Sequence, residues 1–285
     1  KLYESGHITY MRTDSTNLGK DAQENLLNAV RSEFGEKYAE ARVYKTKSKS
    51  AQEAHEAVRP TDPQKRSLGN TEEQKKLYAL IRARALASQM ADARILRTKI
   101  LANVDGASIP DFAGNGSRVV FDGWLAADPD ARGEDVELPK AEKNDPLTLL
   151  EARSEGKETQ PPARYSEAGL VKELEKRGIG RPSTYASTIR TLETRGYVEK
   201  QGRTLIPTAT GDVVSSFIEQ NFGDYISDTF TSEMENELDE IADGTRKYEK
   251  TLKDFYGPFT KEVKSKAKIP KLTNMGDAPK ESKCP

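Results

Sequence analysis

Residues 165–211, YSEAGLVKELEKRGIGRPSTYASTIRTLETRGYVEKQGRTLIPTATG, constrain the fold more than any other stretch of the chain. Ser166 is placed to cap a helix whose Leu170, Val171 and Leu174 share one face. RGIGRPST is a turn punctuated by glycine and proline, and Ser183 reads as the cap of a second helix reaching about Arg195. Gly196 closes that helix, and YVEKQGRTLIPT then alternates as a hairpin that turns near Gln201-Gly202. Helix, turn, helix and hairpin in this order make a winged-helix arrangement. The second helix presents Ser183, Thr184, Tyr185 and Arg190 near one end, with Arg181 at its threshold. Its free amides and macrodipole suit a phosphate there. These side-chain types grip backbone phosphates and stack on bases. A capped helix with a surface arginine, touching only protein, fits the same residues.

The opening run HITYMRTDST sets Tyr10 among threonines, an arginine, an aspartate and a serine. A phenol that attacks an electrophile needs the target held in place, a positive charge nearby and a route for its proton. Arg12 can supply the charge, because a guanidinium forks onto phosphate oxygens. In an extended strand residues two apart share a face, which would aim Tyr10 and Arg12 at one phosphate. A buried strand tyrosine beside a loop arginine remains the other reading of this run.

Between these stretches the character changes twice. Leu26, Leu27, Val30 and Phe34 recur at helical spacing within residues 17–40. ARVYKTKSKSAQEAHEAVRPTD passes from a basic, serine-rich loop to a short helix ended by Pro60. TEEQKKLYALIRARALASQM is a helix capped by Thr71. LRTKILANV, SRVVFDGW and LTLLEARSEGKETQPPARY are strand-like. Asp128-Pro-Asp130 with Glu134 opens an acidic loop that reads as solvated. From Ser166 the chain is helical again, and past Lys264 it becomes a polar tail. The class is α+β.

Composition narrows the function classes. Lys and Arg number 45 against 46 Asp and Glu, a formal net charge of −1 in 285 residues. That excludes a general nucleic-acid coat but leaves room for a basic groove balanced by acidic faces. With no bilayer-length apolar run and no signal peptide, the chain is expected to be soluble and intracellular. A lone cysteine, Cys284, excludes an internal disulfide.

Four motifs together, ITYMRTDST, AHEAVRPTD, LVKELEKRGIGRPSTYASTIRTLETRGYV and FTSEMENELDEIADG, resemble in order and spacing the bacterial type IA DNA topoisomerases. The resemblance runs from the first residue to about Phe259 and is poorest in the acidic loop and the tail. It implies a multi-domain segment of a torus, with helical winged-helix-like domains joined by a β-rich gate region. The implied divisions are a tyrosine-bearing helical domain (1–90), a gate region (91–165), a single-strand-binding base domain (166–264) and a linker tail (265–285). The implied activity is relaxation of negatively supercoiled DNA. A tyrosine cuts one strand as a 5′-phosphotyrosine, another strand passes, and the break is resealed without ATP.

By motif, Tyr10 resembles the nucleophile and Arg12 the arginine that holds the scissile phosphate. Asp14, His55, Arg59, Arg181, Thr184 and Arg195 resemble positions that meet the DNA strand, and Ser183 and Tyr185 join them from the cluster above. Mg2+ is implied for the full cycle, held by a Toprim domain that precedes the tyrosine motif in the family; this chain supplies no metal ligand. Cys284-Pro285 resembles the start of the family's C-terminal zinc ribbons. The chain therefore reads as a piece of a monomeric, cytoplasmic enzyme of the bacterial nucleoid. Its expected partners are single-stranded and negatively supercoiled DNA and the absent N-terminal domain, with no membrane.

Rival tyrosine enzymes fit poorly. Tyrosine recombinases place the nucleophile late, whereas Tyr10 comes first. Relaxases need clustered histidines, and the chain has only His7 and His55. A non-enzymatic winged-helix binder would explain GRPSTYAS and leave TYMRTDST without a purpose.

Overall fold

Leu26, Ala29 and Val30 lie on one stripe of a helix, so that helix must find an apolar partner, and the partner determines the first half of the molecule. In the computed structural model, which describes residues 1–44, 55–106 and 108–269, the chain forms two compact units, Lys1–Glu158 and Thr159–Pro285. Each holds helices and one two-stranded sheet, a mixed helix and small-sheet architecture.

In the first unit α1 (Lys20–Phe34) packs on α2 (Glu72–Ala87). Leu26, Ala29 and Val30 meet Ala85, Leu86 and Met90, with Trp124 and Phe34 closing the cluster. Burying each of Leu26, Val30, Leu86 and Met90 contributes roughly 1.5–3 kcal/mol, and the alanines less. Thr71 caps α2 as expected, accepting from Gln74 N–H. The same helix serves a second cluster, in which its fully buried Tyr78 packs with Leu2 and Ile8. Tyr78 donates its hydroxyl to the carbonyls of Asp62 and Lys65 at 3.1 and 2.9 Å. Gln89, also fully buried, bonds both the carbonyl and the N–H of Arg42, tying down residues 39–44.

An antiparallel ribbon follows, β1 (Arg94–Ala102) with β2 (Phe112–Phe121), paired from Arg94↔Phe121 to Ala102↔Phe112. Both strands overlap stretches read as extended, although β2 begins at Phe112, five residues before SRVVFDGW. The third, LTLLEARSEGKETQPPARY, forms no strand: Leu147, Leu149 and Leu150 are exposed, and only at its end does the Tyr165 carbonyl accept from Leu205 N–H, at 2.8 Å. Two further expectations are corrected. His55–Arg59, placed in a short helix, is not helical: it bends at Val58, and the chain meets Ile8 through Pro60. Its carbonyls at Ala57 and Arg59 are engaged by Thr9, and a residue before proline disfavours helix. Nor is Asp128 solvated. It is buried at the start of a short 3-10 turn, Pro129–Ala131, and takes a hydrogen bond from Arg84 at 3.1 Å. The basic loop and the start of the AHEAVRPTD motif, residues 45–54, and Cys284-Pro285 lie outside the described residues.

The second unit opens with α3 (Glu167–Arg177), capped by Ser166 through Gly169 N–H, and α4 (Tyr185–Thr194). The cap of α4 is Thr184, not Ser183. Pro182 and Ser183 are spent in the turn, where Thr184 Oγ1 accepts from Arg181 N–H at 2.9 Å. A hairpin of β3 (Val198–Gln201) and β4 (Thr204–Pro207) follows, then α5 (Ala209–Phe222), α6 (Asp228–Ala242) and α7 (Tyr248–Lys266). Tyr225, Phe230, Phe255 and Phe259 gather with ring centroids 5.2–6.2 Å apart and join the last two helices. Burial raises the Tyr225 phenol's pKa, and the charges of Glu262 and Asp224 act the same way.

Gly211, in the first turn of α5, lies against the carbonyl of Tyr197; an added Cβ would stand 2.1 Å from that oxygen. The obstacle is backbone and cannot rotate away. Gly211→Ala is expected to destabilise the second unit by about 2–3 kcal/mol. Urea unfolding followed by far-UV circular dichroism measures it, and an unchanged midpoint would show that α5 shifts freely.

Candidate nucleic-acid interface and tyrosine site

The segment that carries Tyr10 is held by its backbone. Thr9 N–H donates to Arg59 O at 2.9 Å, and Thr61 N–H donates to His7 O at 3.1 Å. The Thr9 hydroxyl donates to Ala57 O at 2.8 Å and accepts from Arg59 N–H at 2.9 Å. Thr61 Oγ1 donates to Gly6 O. Beneath this clasp Ile8 is buried against Leu2 and Tyr78. Residues two apart on a strand share a face, yet Tyr10 is not part of that cluster and is 37% exposed.

Tyr10 has two ring neighbours. Tyr3 stands edge-on with centroids 5.3 Å apart, and His55 edge-on at 5.7 Å. His55 and Tyr10, distant in sequence, are thus brought together. The backbone bends at Met11 and Arg12, so strand alternation does not continue through Arg12 and gives no reason for the two to share a face. Arg12 is exposed and Asp14 half-buried, and no ion pair engages either among the described residues. Past them, Ser15 N–H bonds Thr13 Oγ1 and Asn17 N–H bonds Ser15 Oγ, so the loop is shaped by its own hydroxyls.

Arg59 is differently placed. Its guanidinium donates to Glu56 Oε2 at 2.8 Å and to Pro60 O at 3.1 Å, and its side chain is only 18% exposed. Glu56 Oε1 in turn accepts from Gly19 N–H at 2.9 Å. Glu56 thereby ties the start of α1 to the clasp. Burial works to raise its pKa, but the Arg59 hydrogen bond and the Gly19 N–H outweigh it, leaving the carboxyl below its ordinary range.

In the second unit Gly180 takes a left-handed φ of 76°, and a Cβ there would stand 3.2 Å from the Tyr185 ring. Tyr185 is half-buried over this turn, while Ser183, Thr184, Arg190 and Arg195 are exposed. Arg181 bonds Asp239 at 2.8 Å, with Glu235 at 3.8 Å and Gly180 O at 2.9 Å. Asp239 and Glu235 are four apart on α6, one face of the helix. The motif FTSEMENELDEIADG contains both, yet nothing in its pattern says which cation it meets. Tyr3, seven residues before Tyr10, also escaped the sequence reading, since no periodicity links the two.

No group of three or more His, Cys, Asp or Glu side chains that could hold a metal ion exists among the described residues. Nor is any helix among them long and apolar enough to cross a membrane.

An exposed tyrosine on a clasped extended segment, together with a hydroxyl- and arginine-bearing helix end, belongs to a family whose sequence pattern covers most of the chain. Residues 1–253 match the family described as DNA topoisomerase. The chain belongs to the bacterial DNA topoisomerase family. It is 44% identical over 269 residues to DNA topoisomerase 1 of Synechocystis sp., covering 90% of this chain and 30% of that protein. DNA topoisomerase 1 of Escherichia coli is 42% identical over 281 residues, covering 96% and 32%. The structure superposes on full-length topoisomerase I from Thermotoga maritima with a TM-score of 0.69 and 36% identity, covering 90% of this chain and 42% of that one. The chain thus spans about a third of the length of the curated relatives it matches.

The Glu56 link is testable by pH. A carboxyl whose folded pKa is depressed contributes stability above its unfolded value, near 4.5, and loses it as pH falls through the folded value. Glu56→Gln is expected to cost about 1 kcal/mol at pH 7. The gap from wild type should close as pH drops from 5 towards 3, measured by urea midpoints. A gap constant with pH would show that the charge does not matter.

Proposed function

We propose that this chain carries the nucleophile and part of the strand-binding surface of a type IA DNA topoisomerase, an isomerase that relaxes negatively supercoiled DNA without ATP. The observation that carries the reading is Tyr10 itself. It is exposed, yet set on a segment clasped through Thr9 to residues 57–59. A tyrosine kept only for packing would be turned inward, as Tyr78 is.

In this reading Tyr10 Oη attacks the phosphorus of one strand. The bond from phosphorus to the 3′-oxygen breaks, the leaving 3′-hydroxyl takes a proton, and a 5′-phosphotyrosine remains. The energy of the cut ester is kept in the new one, so resealing needs no nucleotide. Arg12, exposed near Tyr10 in sequence and without an ion-pair partner among the described residues, stabilises charge developing on the phosphoryl oxygens. Asp14 lies along the same loop, and His55, edge-on to Tyr10, meets the bound strand. Arg59 reaches a phosphate only by releasing Glu56.

We read α3, α4 and the β3–β4 hairpin as a winged-helix-like single-strand binder. Ser183, Thr184 and Arg195 face solvent and supply phosphate contacts; Tyr185 closes the turn over Gly180. A phosphate at Arg181 has to compete with Asp239 and Glu235. No group among the described residues fits a Mg2+ site, so no step here runs through the ion, and we place its ligands elsewhere in the complete enzyme. A monomer of the bacterial cytoplasm, with the gate and base divisions given above, completes the proposal.

In the complete enzyme Tyr10→Phe is expected to keep oligonucleotide binding and abolish the covalent adduct. Labelled DNA retained on that variant after denaturation would refute the nucleophile. Arg12→Lys should lower cleavage about a hundredfold, because an ammonium does not reproduce the two-pronged grip.

The chain should also bind a single strand more tightly than a duplex of the same sequence, and affinity should fall as salt rises. Fluorescence anisotropy across a salt series decides this. Tighter duplex binding throughout would favour a winged-helix regulator.

A further inference from the structure

Tyr3 has a place that neither packing nor hydrogen bonding explains. It is 43% exposed, so it is not a core residue, and its hydroxyl has no hydrogen-bond partner among the described residues. Yet its position is fixed. Ser5 N–H bonds Lys1 O, Gly6 N–H bonds Tyr3 O and His7 N–H bonds Leu2 O, at 2.8, 2.8 and 2.9 Å. Next to it Leu2 is buried at 5% exposure in the cluster with Ile8 and Tyr78. A tight turn pinned from below therefore presents an exposed ring.

That ring is spent on Tyr10, at 5.3 Å and an interplanar angle of 69°. Tyr10 is itself 37% exposed, so no core selects its rotamer. Edge-to-face contact can do so, since the positive rim of one ring favours the negative face of another. A neutral ring also adds no charge beside a group that must approach a phosphate.

We propose that Tyr3 is a positioning residue for Tyr10, its ring selecting the rotamer from which the Tyr10 hydroxyl reaches the scissile phosphate. This rests on Tyr10 being the nucleophile. The ring carries the effect and the Tyr3 hydroxyl does not, so phenylalanine serves equally well at this position.

Two measurements test it. The first places 3-fluorotyrosine at position 10 of this chain and reads its 19F resonance. Tyr3→Ala should shift and broaden the signal, whereas Tyr3→Phe should leave it in place. The second follows adduct formation on a single-stranded oligonucleotide in the complete enzyme. Tyr3→Ala should slow it about threefold to tenfold at unchanged binding affinity, with the rate restored in Tyr3→Phe. A thermal melt of Tyr3→Ala confirms that the fold is kept. An unmoved resonance and rate in Tyr3→Ala would overturn the proposal, and so would Tyr3→Phe as impaired as Tyr3→Ala. Were adduct to persist in Tyr10→Phe, the nucleophile assignment would fall, while the 19F result would still report whether Tyr3 orders that ring.

Discussion

Everything proposed for the first unit depends on one side chain that is both donor and acceptor. The Thr9 hydroxyl gives its proton to Ala57 O and takes one from Arg59 N–H. Each neutral bond contributes only about 1 kcal/mol net, but leaving its buried partner unmade costs roughly 1–3 kcal/mol. The clasp is therefore held as much by the penalty for opening as by the gain from closing. Its effect is to give an outward-facing tyrosine a fixed backbone without burying the ring. Beneath it Ile8 reaches Tyr78 of α2, and α2 in turn meets α1 through Ala85 and Leu86. Tyr10 is thus connected to the main core by two layers of contacts.

The arginines divide into two groups. Arg42, Arg59, Arg82 and Arg181 are committed to carboxylates and carbonyls and fasten segments together. In Arg42, Arg59 and Arg181 the Nε–H is buried without a partner among the described residues, so the fastening there is incomplete. Arg12, Arg190 and Arg195 are exposed. A chain with almost no net charge can in this way keep a few cations available, because acidic residues are matched to the others.

How much of this was legible in the sequence follows from the range of each signal. Helices α1 to α4 and the β3–β4 hairpin were legible because caps, apolar spacing and glycine are local. Thr71 and Ser166 cap as their spacing indicates. The errors came where a distant segment decides. His55–Arg59 has a helical pattern but forms no helix, since Thr9 takes the carbonyls of Ala57 and Arg59. Leu147 to Leu150 alternate as a strand should and find no neighbour. Asp128 sits in an acidic run, yet Arg84 of α2 draws it into the protein. Among the candidate residues, Tyr10 and His55 stand edge-on to each other, a contact that neither motif specifies. The Tyr3 contact and the Asp239–Arg181 pair are tertiary facts with no one-dimensional signature.

The β1–β2 ribbon has an uneven distribution of support along its length. At one end Phe121 packs against Tyr38, with centroids 5.1 Å apart, and Trp124 N–H reaches Ala91 O at 2.9 Å. At the other, Leu101 and Phe112 are 55% and 62% exposed. Opening the tip breaks ladder bonds but disturbs neither Leu26, Val30 nor Leu86. In deuterium exchange its amides should therefore report local fraying rather than global unfolding, and the protection of the ribbon should rise steadily from tip to base.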